Sequence, residues 1–324
     1  VAGRDGATLL AFGGVAVLGG INAIAVKVSV TELDPFWSAG LRFVAAGILL
    51  VAIVLGTRRS FPRGRSLRGA IAYGAVAFSA SFGLIYPALR EVPAATAIVF
   101  LALVPLETFG LAIVQRQEQF EVQGLVGALV AVGGVLVVVA DQLGAAVPLG
   151  PMVLILAGTL FIAQSSILLK AIPPSDPFAT NAIAMLTGGA ILLTLSGVFA
   201  EAWTVPSQST TWLAMSYLVV AGSIVLFGLY LFILRRWSAS AVSYVTLLMP
   251  LVAIPLAAVL VAERISLSFL LGGAIALVGV YIGAFARIRP RRSSATSLPE
   301  CLPIDACADP DQSQVEARAR TASA

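Results

Sequence analysis

The sequence predicts an all-α membrane protein, with ten transmembrane helices in two inverted five-helix repeats. Three observations carry that prediction. Of the 324 residues, 59% are hydrophobic and 11% charged, against about 25% charged in a soluble domain. Apolar runs of about 20 residues recur from end to end, each long enough to cross a bilayer core of roughly 30 Å as a helix. The second half of the chain also repeats the first. A membrane barrel would show short, strictly alternating segments, and none is present.

The helices are expected at 7–26, 36–56, 69–89, 93–114 and 122–140, then at 150–169, 178–199, 212–234, 239–262 and 267–286. Polar breaks separate them: TRRSFPRGRSLR after the second, QRQEQFE after the fourth, DQLGAAVPLG after the fifth and EAWTVPSQSTTW after the seventh. The remaining links are only a few residues long. Residues 1–25 fit a secretory signal loosely, through Arg4, an apolar run and Ala23-Ile24-Ala25. That run exceeds a typical signal core of about 7–15 residues, and the repeat needs it, so a retained first helix is expected. From Ser293 the chain is rich in Ser, Ala, Pro and Asp and reads as a disordered tail. The expected units are a first repeat over 1–144, a second over 145–290 and a cytoplasmic tail over 291–324.

The repeat shows when FGLIYPALREVPAATAIVFLALVPLE (82–107) is set over FGLYLFILRRWSASAVSYVTLLMPLV (227–252). Phe82, Gly83, Leu84, Leu89, Arg90, Ala94, Leu103, Pro105 and Leu106 recur at an offset of 145. The same offset carries Glu118 to Glu263, Gly127 to Gly272 and Gly134 to Gly279. DPF at 34–36 returns at 176–178, an offset of 142, so a small insertion lies between. Five helices per half is an odd number. The second half must therefore enter the membrane upside down, the arrangement of many secondary transporters.

Lysine and arginine placement sets the orientation. With the N-terminus inside, the inner side holds Arg4, Arg58, Arg59, Arg63, Arg65, Arg68, Arg116, Lys170, Arg235, Arg236, Arg287, Arg289, Arg291 and Arg292. The outer side holds only Lys27, Arg90 and Arg264. Both termini are expected in the cytoplasm, at a bacterial-type inner membrane. The basic loop is a topology signal, and no nucleic-acid partner is expected.

Several chemistries are disfavoured. The chain has no His, the commonest metal ligand and general base. Its two cysteines, Cys301 and Cys307, lie in the polar tail. No phosphate-cradling G-x-x-x-x-G-K-[ST] motif occurs. The expectation is a protein without metal or cofactor and without enzymatic activity, since the spans hold no nucleophile–base constellation.

Two further stretches, LRFVAAGILL (41–50) and SASAVSYVTLLMPLVAIPLAAVLVAERISLSFLLGGAIALVGVYIG (238–283), resemble the EamA-type transporters of the drug/metabolite transporter superfamily. The resemblance covers residues 7 to about 288. It implies ten helices in two inverted five-helix repeats and a small organic solute. In that family a helix of this kind carries a central Pro, here Pro250, ends in a Glu, here Glu263, and precedes a Gly-containing helix. The first half repeats the pattern through Pro105, Glu118 and Gly127. Gln117 and Ala262 stand where the family often has Gly, and Glu107 is no part of its general pattern. The family also often places an Arg where Arg42 stands.

Candidate site residues follow from polarity and symmetry. Pro105 and Pro250 each remove a backbone donor and disturb the preceding turn. They are symmetry-related bends, read either as hinges or as static kinks. Glu107 faces Val252 across the repeat, so it breaks the symmetry. Spacings of four, three and four put Thr96, Phe100, Leu103 and Glu107 on one helical face. That face is expected to line a cavity in which Glu107 binds a cationic group or a proton. The alternative is that Glu107 reaches the inner arginines, for example Arg116. A mid-membrane Arg42 costs about 2.5–3.5 kcal/mol on insertion scales, so it faces protein or a cavity, or pairs near Glu32 and Asp34. Asn22 and Gln164 align at the 142 offset as a candidate amide pair. Tyr73, Ser79, Asn181, Tyr230 and Tyr244 complete the set, each with packing as its alternative. Glu118 and Glu263 read as structural acids at helix starts. Gly279 and Gly283 read as a helix contact, within the monomer or in a homodimer.

The functional expectation is a secondary transporter for an amino acid or related metabolite, working outward by alternating access, with proton coupling open. The alternatives are a non-transporting sensor or scaffold, and a drug or cation efflux protein of the same fold.

Overall fold

The computed structural model describes residues 6–117, 122–144, 147–260 and 266–286. Glu118, Glu263, Gly283's side-chain surroundings, the terminal arginines and the tail over 291–324 lie outside what it describes. Every described element is helical. Among the described residues, seven rods are long and apolar enough to cross a membrane: Gly6–Glu32, Pro35–Gly56, Arg65–Glu91, Ala94–Val114, Leu149–Ala171, Pro177–Val198 and Ser209–Leu234. The first two are α1 and α2, unbroken. The third is α3 (Arg65–Gly74) and α4 (Ser81–Glu91), joined by a π segment over Ala75–Ala80. The fourth is α5 (Ala94–Leu101) and α6 (Val104–Val114). Then come α7 (Val122–Gly144), α8 (Leu149–Ala171) and α9 (Pro177–Val198). The next rod is α10 (Ser209–Val219) and α11 (Leu226–Leu234), joined by a π segment over Val220–Val225. A short α12 (Ala239–Ser243), a 3₁₀ turn (Tyr244–Leu247) and α13 (Met249–Leu260) precede α14 (Leu267–Ala286).

The interior is mainly apolar, and the surface is apolar as well, unlike that of a soluble protein. Leu10, Val259 and Leu213 point outward, while Thr8, Ser29, Thr96, Thr159 and Ser223 are buried. In lipid, large apolar side chains gain nothing from burial, so small and weakly polar residues take the helix contacts.

Those contacts are reciprocal between the halves. A Cβ on Gly134 would stand 2.5 Å from the Gly272 carbonyl oxygen, and one on Gly279 would stand 2.7 Å from that of Gly127. At the offset of 145, the pair 134 and 272 maps onto 279 and 127, so each contact is the image of the other. α7 and α14 therefore run antiparallel about a local two-fold relation. Gly279 is used within the chain, as one of the two readings of its spacing expected. α2 and α9 repeat the arrangement at the offset of 142. Gly47 abuts Leu186, with its Cβ position 2.7 Å from Cγ, and Gly189 abuts Val44 at 2.8 Å.

The π segments are images of each other too, since 75–80 maps onto 220–225 at the offset of 145. A π turn holds one extra residue, so carbonyls lose their usual donors. Serine hydroxyls fill in, Ser81 donating to the Val76 carbonyl at 3.0 Å and Ser223 to that of Leu218 at 2.7 Å.

The chain after α2 and the chain after α9 each brace the other half. Arg59 pairs with Asp176 at 2.9 Å and lies over the Phe178 ring at 4.6 Å. Asp176 also caps α9, accepting from the backbone amides of Phe178 and Ala179. The image of Arg59 is Glu201. Its carboxylate accepts from the amides of Phe36 and Trp37 at the start of α2, and Arg90 pairs with Asp34 at 2.6 Å. Stacking of Trp37 on Trp203 and of Phe36 on Phe199 fastens that loop further.

Candidate functional site

A cavity of about 120 Å³ lies among helices of both halves. α1 lines it with Gly19, Asn22, Ala23 and Val26, spacings of three, one and three that form one helical face. Tyr73, Ala77, Phe82, Ile85 and Leu89 come from α3, its π segment and α4. Ala97, Leu101 and Val104 come from α5 and α6, and Ile155, Ile162 and Ser165 from α8. The second half, to which α8 belongs, also adds Leu226, Phe227, Tyr230, Ser243, Val245, Thr246 and Met249. No charged side chain is among these.

Both helix breaks open onto this space. Between α5 and α6 the amides of Ala102 and Leu103 turn back onto the carbonyls of Val99 and Phe100, three residues earlier. Pro105 then occupies the first turn of α6, where a missing N–H costs least. Before Pro250 the 3₁₀ turn does the same, with Leu248 N–H donating to the Val245 carbonyl. Leu101 and Val104 map onto Thr246 and Met249 at the offset of 145, and all four line the cavity. The prolines thus start new half-helices after tightened turns. They do not kink continuous helices.

Arg42 stands behind the wall, fully buried. Its Nε donates to Ser223 Oγ at 2.8 Å and its Nη1 to Tyr86 OH at 3.0 Å. Its Nη2 donates to Asn22 Oδ1 at 3.0 Å and to the Gly222 carbonyl at 2.8 Å. The Phe43 and Phe82 rings lie 4.8 and 5.4 Å from the guanidinium carbon. Glu32 and Asp34 take other partners: Ser207 donates to Glu32, and Arg90 pairs with Asp34. The acceptors of Arg42 come from α1, α4 and the second π segment, so one cation ties the two halves together.

Glu107 does not line the cavity. Because the rod breaks at Ala102–Leu103, the face through Thr96, Phe100 and Glu107 is not continuous, and Ala97, Leu101 and Val104 take the lining positions instead. Thr96 and Phe100 are buried elsewhere in the packing. Thr159 Oγ1, on α8 between the lining residues Ile155 and Ile162, is 2.9 Å from Glu107 Oε1. The same hydroxyl is 2.7 Å from the Leu156 carbonyl. Glu107 Oε2 is buried without a partner among the described residues, so the carboxyl has not reached Arg116.

Of the other expected residues, Asn22, Tyr73 and Tyr230 line the cavity. The Tyr230 and Ser166 hydroxyls are 2.7 Å apart. Gln164 does not meet Asn22, because its Oε1 accepts from Gln115 Nε2 at 2.7 Å on an exposed face. Ser79 is buried within the first π segment. Asn181 is buried in α9, with Oδ1 unpartnered among the described residues. Tyr244 packs against the small cluster of Ala102 and Ala131. Sequence reasoning missed Thr159, Ser165, Ser243 and Thr246. Thr246 carried a signal, standing four residues before Pro250; the other three carried none in so apolar a chain.

Comparison with known proteins adds to this geometry. The EamA-like transporter family matches residues 7–140 and 149–284. The chain is 28% identical to the inner membrane transporter YedA of Escherichia coli (strain K12) over 77% of its own length and 81% of the relative's. It is 27% identical to a protein of Salmonella typhimurium named "Probable amino-acid metabolite efflux pump", over 87% of its own length and 96% of the relative's. One solved crystal structure superposes with a TM-score of 0.66 at 20% identity, over 89% of this chain and 100% of that one, and shares its fold.

Proposed function

The chain belongs to the EamA-like transporter family, and from that premise we propose a secondary transporter that exports an amino acid or related metabolite by alternating access. The observation that carries this reading is the cavity, set between two helix breaks that are images of each other. The rest of the reading is ten helices in two inverted five-helix repeats, over 1–144 and 145–290. The reciprocal antiparallel contacts of α2 with α9 and of α7 with α14 support it. The membrane is the inner one, as named for the Escherichia coli relative, with both termini cytoplasmic. Export and the solute class follow the name of the Salmonella relative. No catalytic role is assigned, and a monomer suffices for the cavity.

In this mechanism the halves rock about the cavity, and the tightened turns before Pro105 and Pro250 give way. Glu107 and Thr159 form the proton site. The Thr159 hydroxyl has one hydrogen and two acceptors in reach. With Glu107 ionised, that hydrogen turns to the carboxylate. With Glu107 protonated, the acid donates to Thr159, which donates on to the Leu156 carbonyl. Proton transfer thus switches a contact between α6 and α8.

Proteoliposomes holding the purified chain, loaded with a mixture of amino acids and their metabolites, test the reading. Efflux of a specific solute that follows an imposed proton gradient is expected. Glu107→Gln should transport with a flattened pH profile. Retained solute binding with no flux of any member would favour a sensor.

A further inference from the structure

Two voids share the seam between α8 and α11. On α8 one face runs Ile162, Ser165, Ser166 and Leu169, and on α11 one face runs Phe227, Tyr230, Leu231 and Leu234. Spacings of three, one and three keep each set on one side of its helix. The early members, Ile162, Ser165, Phe227 and Tyr230, line the central cavity. The late members, Leu169, Leu231 and Leu234, line a second pocket of about 230 Å³. Both helices therefore run from cavity to pocket in the same direction, and the two voids lie roughly one helical turn apart, about 5.4 Å. α8 packs mainly on α4 and α6, and α11 on α1. The seam is thus not itself a packed helix interface.

Ser166 and Tyr230 stand between the voids, and their hydroxyls are 2.7 Å apart. Ser166 is fully buried and gives its hydrogen to the Ile162 carbonyl at 3.1 Å. The Tyr230 hydroxyl is then the donor across the seam. Beyond this bond the chemistry changes. The cavity lining holds no charged side chain, whereas Lys170 and Arg235 line the second pocket with no acid among its lining residues. The neighbouring Asp176 is held by Arg59 and by the first amides of α9. Lys170 lies in the last turn of α8 and Arg235 caps the end of α11, on the face that the charge pattern assigns to the cytoplasm. A cleft lined by one sign of charge concentrates solutes of the other sign.

We propose that the pocket at Lys170 and Arg235 is an entry site for a solute bearing an acidic group such as a carboxylate, and that this solute reaches the central cavity along the α8–α11 seam when the Tyr230–Ser166 bond opens. The inference rests on the transporter reading and deepens it, naming the inner path and the charge that the path admits. The basic pocket collects the acid from water, and the apolar cavity beyond accepts the body of the solute. A hydrogen bond between neutral groups shifts an equilibrium by only about two- to tenfold, so this closure yields readily.

Thiol labelling tests the path without knowledge of the solute. With Cys301 and Cys307 replaced by Ser, a single cysteine is placed in the pocket (Leu169→Cys), in the cavity (Ser165→Cys) or at a buried control on α2 (Ser38→Cys). In inside-out vesicles the anionic, impermeant 2-sulfonatoethyl methanethiosulfonate should label Leu169→Cys quickly and Ser165→Cys slowly. A slow Leu169→Cys would overturn the inner placement of the pocket. Tyr230→Phe keeps the ring and loses the donor, so it should speed Ser165→Cys several-fold and leave Ser38→Cys unlabelled. An unchanged Ser165→Cys rate would overturn the gate, as would a wild-type rate equal to that of Leu169→Cys. If Tyr230→Phe exposes Ser38→Cys, that variant has lost its fold, and Ser166→Ala, which removes the same bond from the other side, decides. In phosphatidylcholine nanodiscs the anionic reagent should label Leu169→Cys at least about tenfold faster than its trimethylammonium counterpart, each rate taken relative to a free thiol. Arg235→Gln should cut that preference several-fold. No preference for the anion would overturn the acidic solute. Proteoliposome flux without gated labelling would sink the path and leave transport standing. Gated labelling without flux of any solute would do the reverse.

Discussion

At the scale of single residues, burial and hydrogen bonding separate side chains that look alike in sequence. Arg42 and Glu107 are both charges in apolar runs. Arg42 meets four acceptors from three elements, whereas Glu107 meets one hydroxyl. Lysine offers three donors from one point, so Arg42→Lys strands at least one buried acceptor, and Arg42→Ala strands them all. Each stranded group costs about 1–3 kcal/mol. Thermal unfolding in detergent should drop sharply for Arg42→Ala and less for Arg42→Lys, while Arg59→Ala, which breaks an exposed pair, should cost under about 1 kcal/mol. Asp34, outside the spans, gives a pH-dependent case. Burial pushes its carboxyl up, but the Arg90 hydrogen bond, the Ala202 amide and the Arg90 charge together bring it below its usual value. A lowered folded value means stability present above the unfolded value of about 4 and lost as pH falls through the folded one. Melting temperature should thus fall with acid in the wild type, and less in Asp34→Asn. That Arg42 and Glu107 turn away from lipid was legible from their cost there. Their partners were not, because Ser223, Gly222 and Thr159 are distant in sequence and ordinary in type.

At the scale of elements, the apolar runs located the rods well, since length and hydropathy depend on nearest neighbours alone. They did not reveal where rods break. The π segments at 75–80 and 220–225 leave no periodic mark, because in a chain apolar on nearly all sides a one-residue insertion shifts no polar stripe. The prolines did announce the other two breaks, and their true form is a tightened turn followed by a fresh half-helix. The glycines of α7 and α14 were legible as a repeat, and their use is close backbone approach. Gly134→Ala puts a Cβ against the Gly272 carbonyl and the Ala276 backbone. It should cost about 1–3 kcal/mol as overpacking, read as a lower melting temperature, whereas Gly133→Ala has open space and should change little.

At the scale of the whole molecule, inversion is the property to test. The loop after α2 and the loop after α9 are images, so they should emerge on opposite faces. With Cys301 and Cys307 replaced, a cysteine at Ser60 should resist an impermeant maleimide in intact cells and one at Gln208 should react. The reverse pattern would overturn the assigned orientation, and labelling of both would overturn inversion. The sequence by itself determined that the chain is a helical membrane protein and that it is doubled. Those properties follow from composition, length and register, which need no knowledge of what touches what. Only the tertiary structure decided that Gln164 leaves Asn22, that Glu107 sits behind the wall, and that Ser165, Ser243 and Thr246 spend their hydroxyl hydrogens on the backbone. Helix rotation and local breaks choose those partners, and in an almost uniformly apolar chain no hydrophobic stripe records either one.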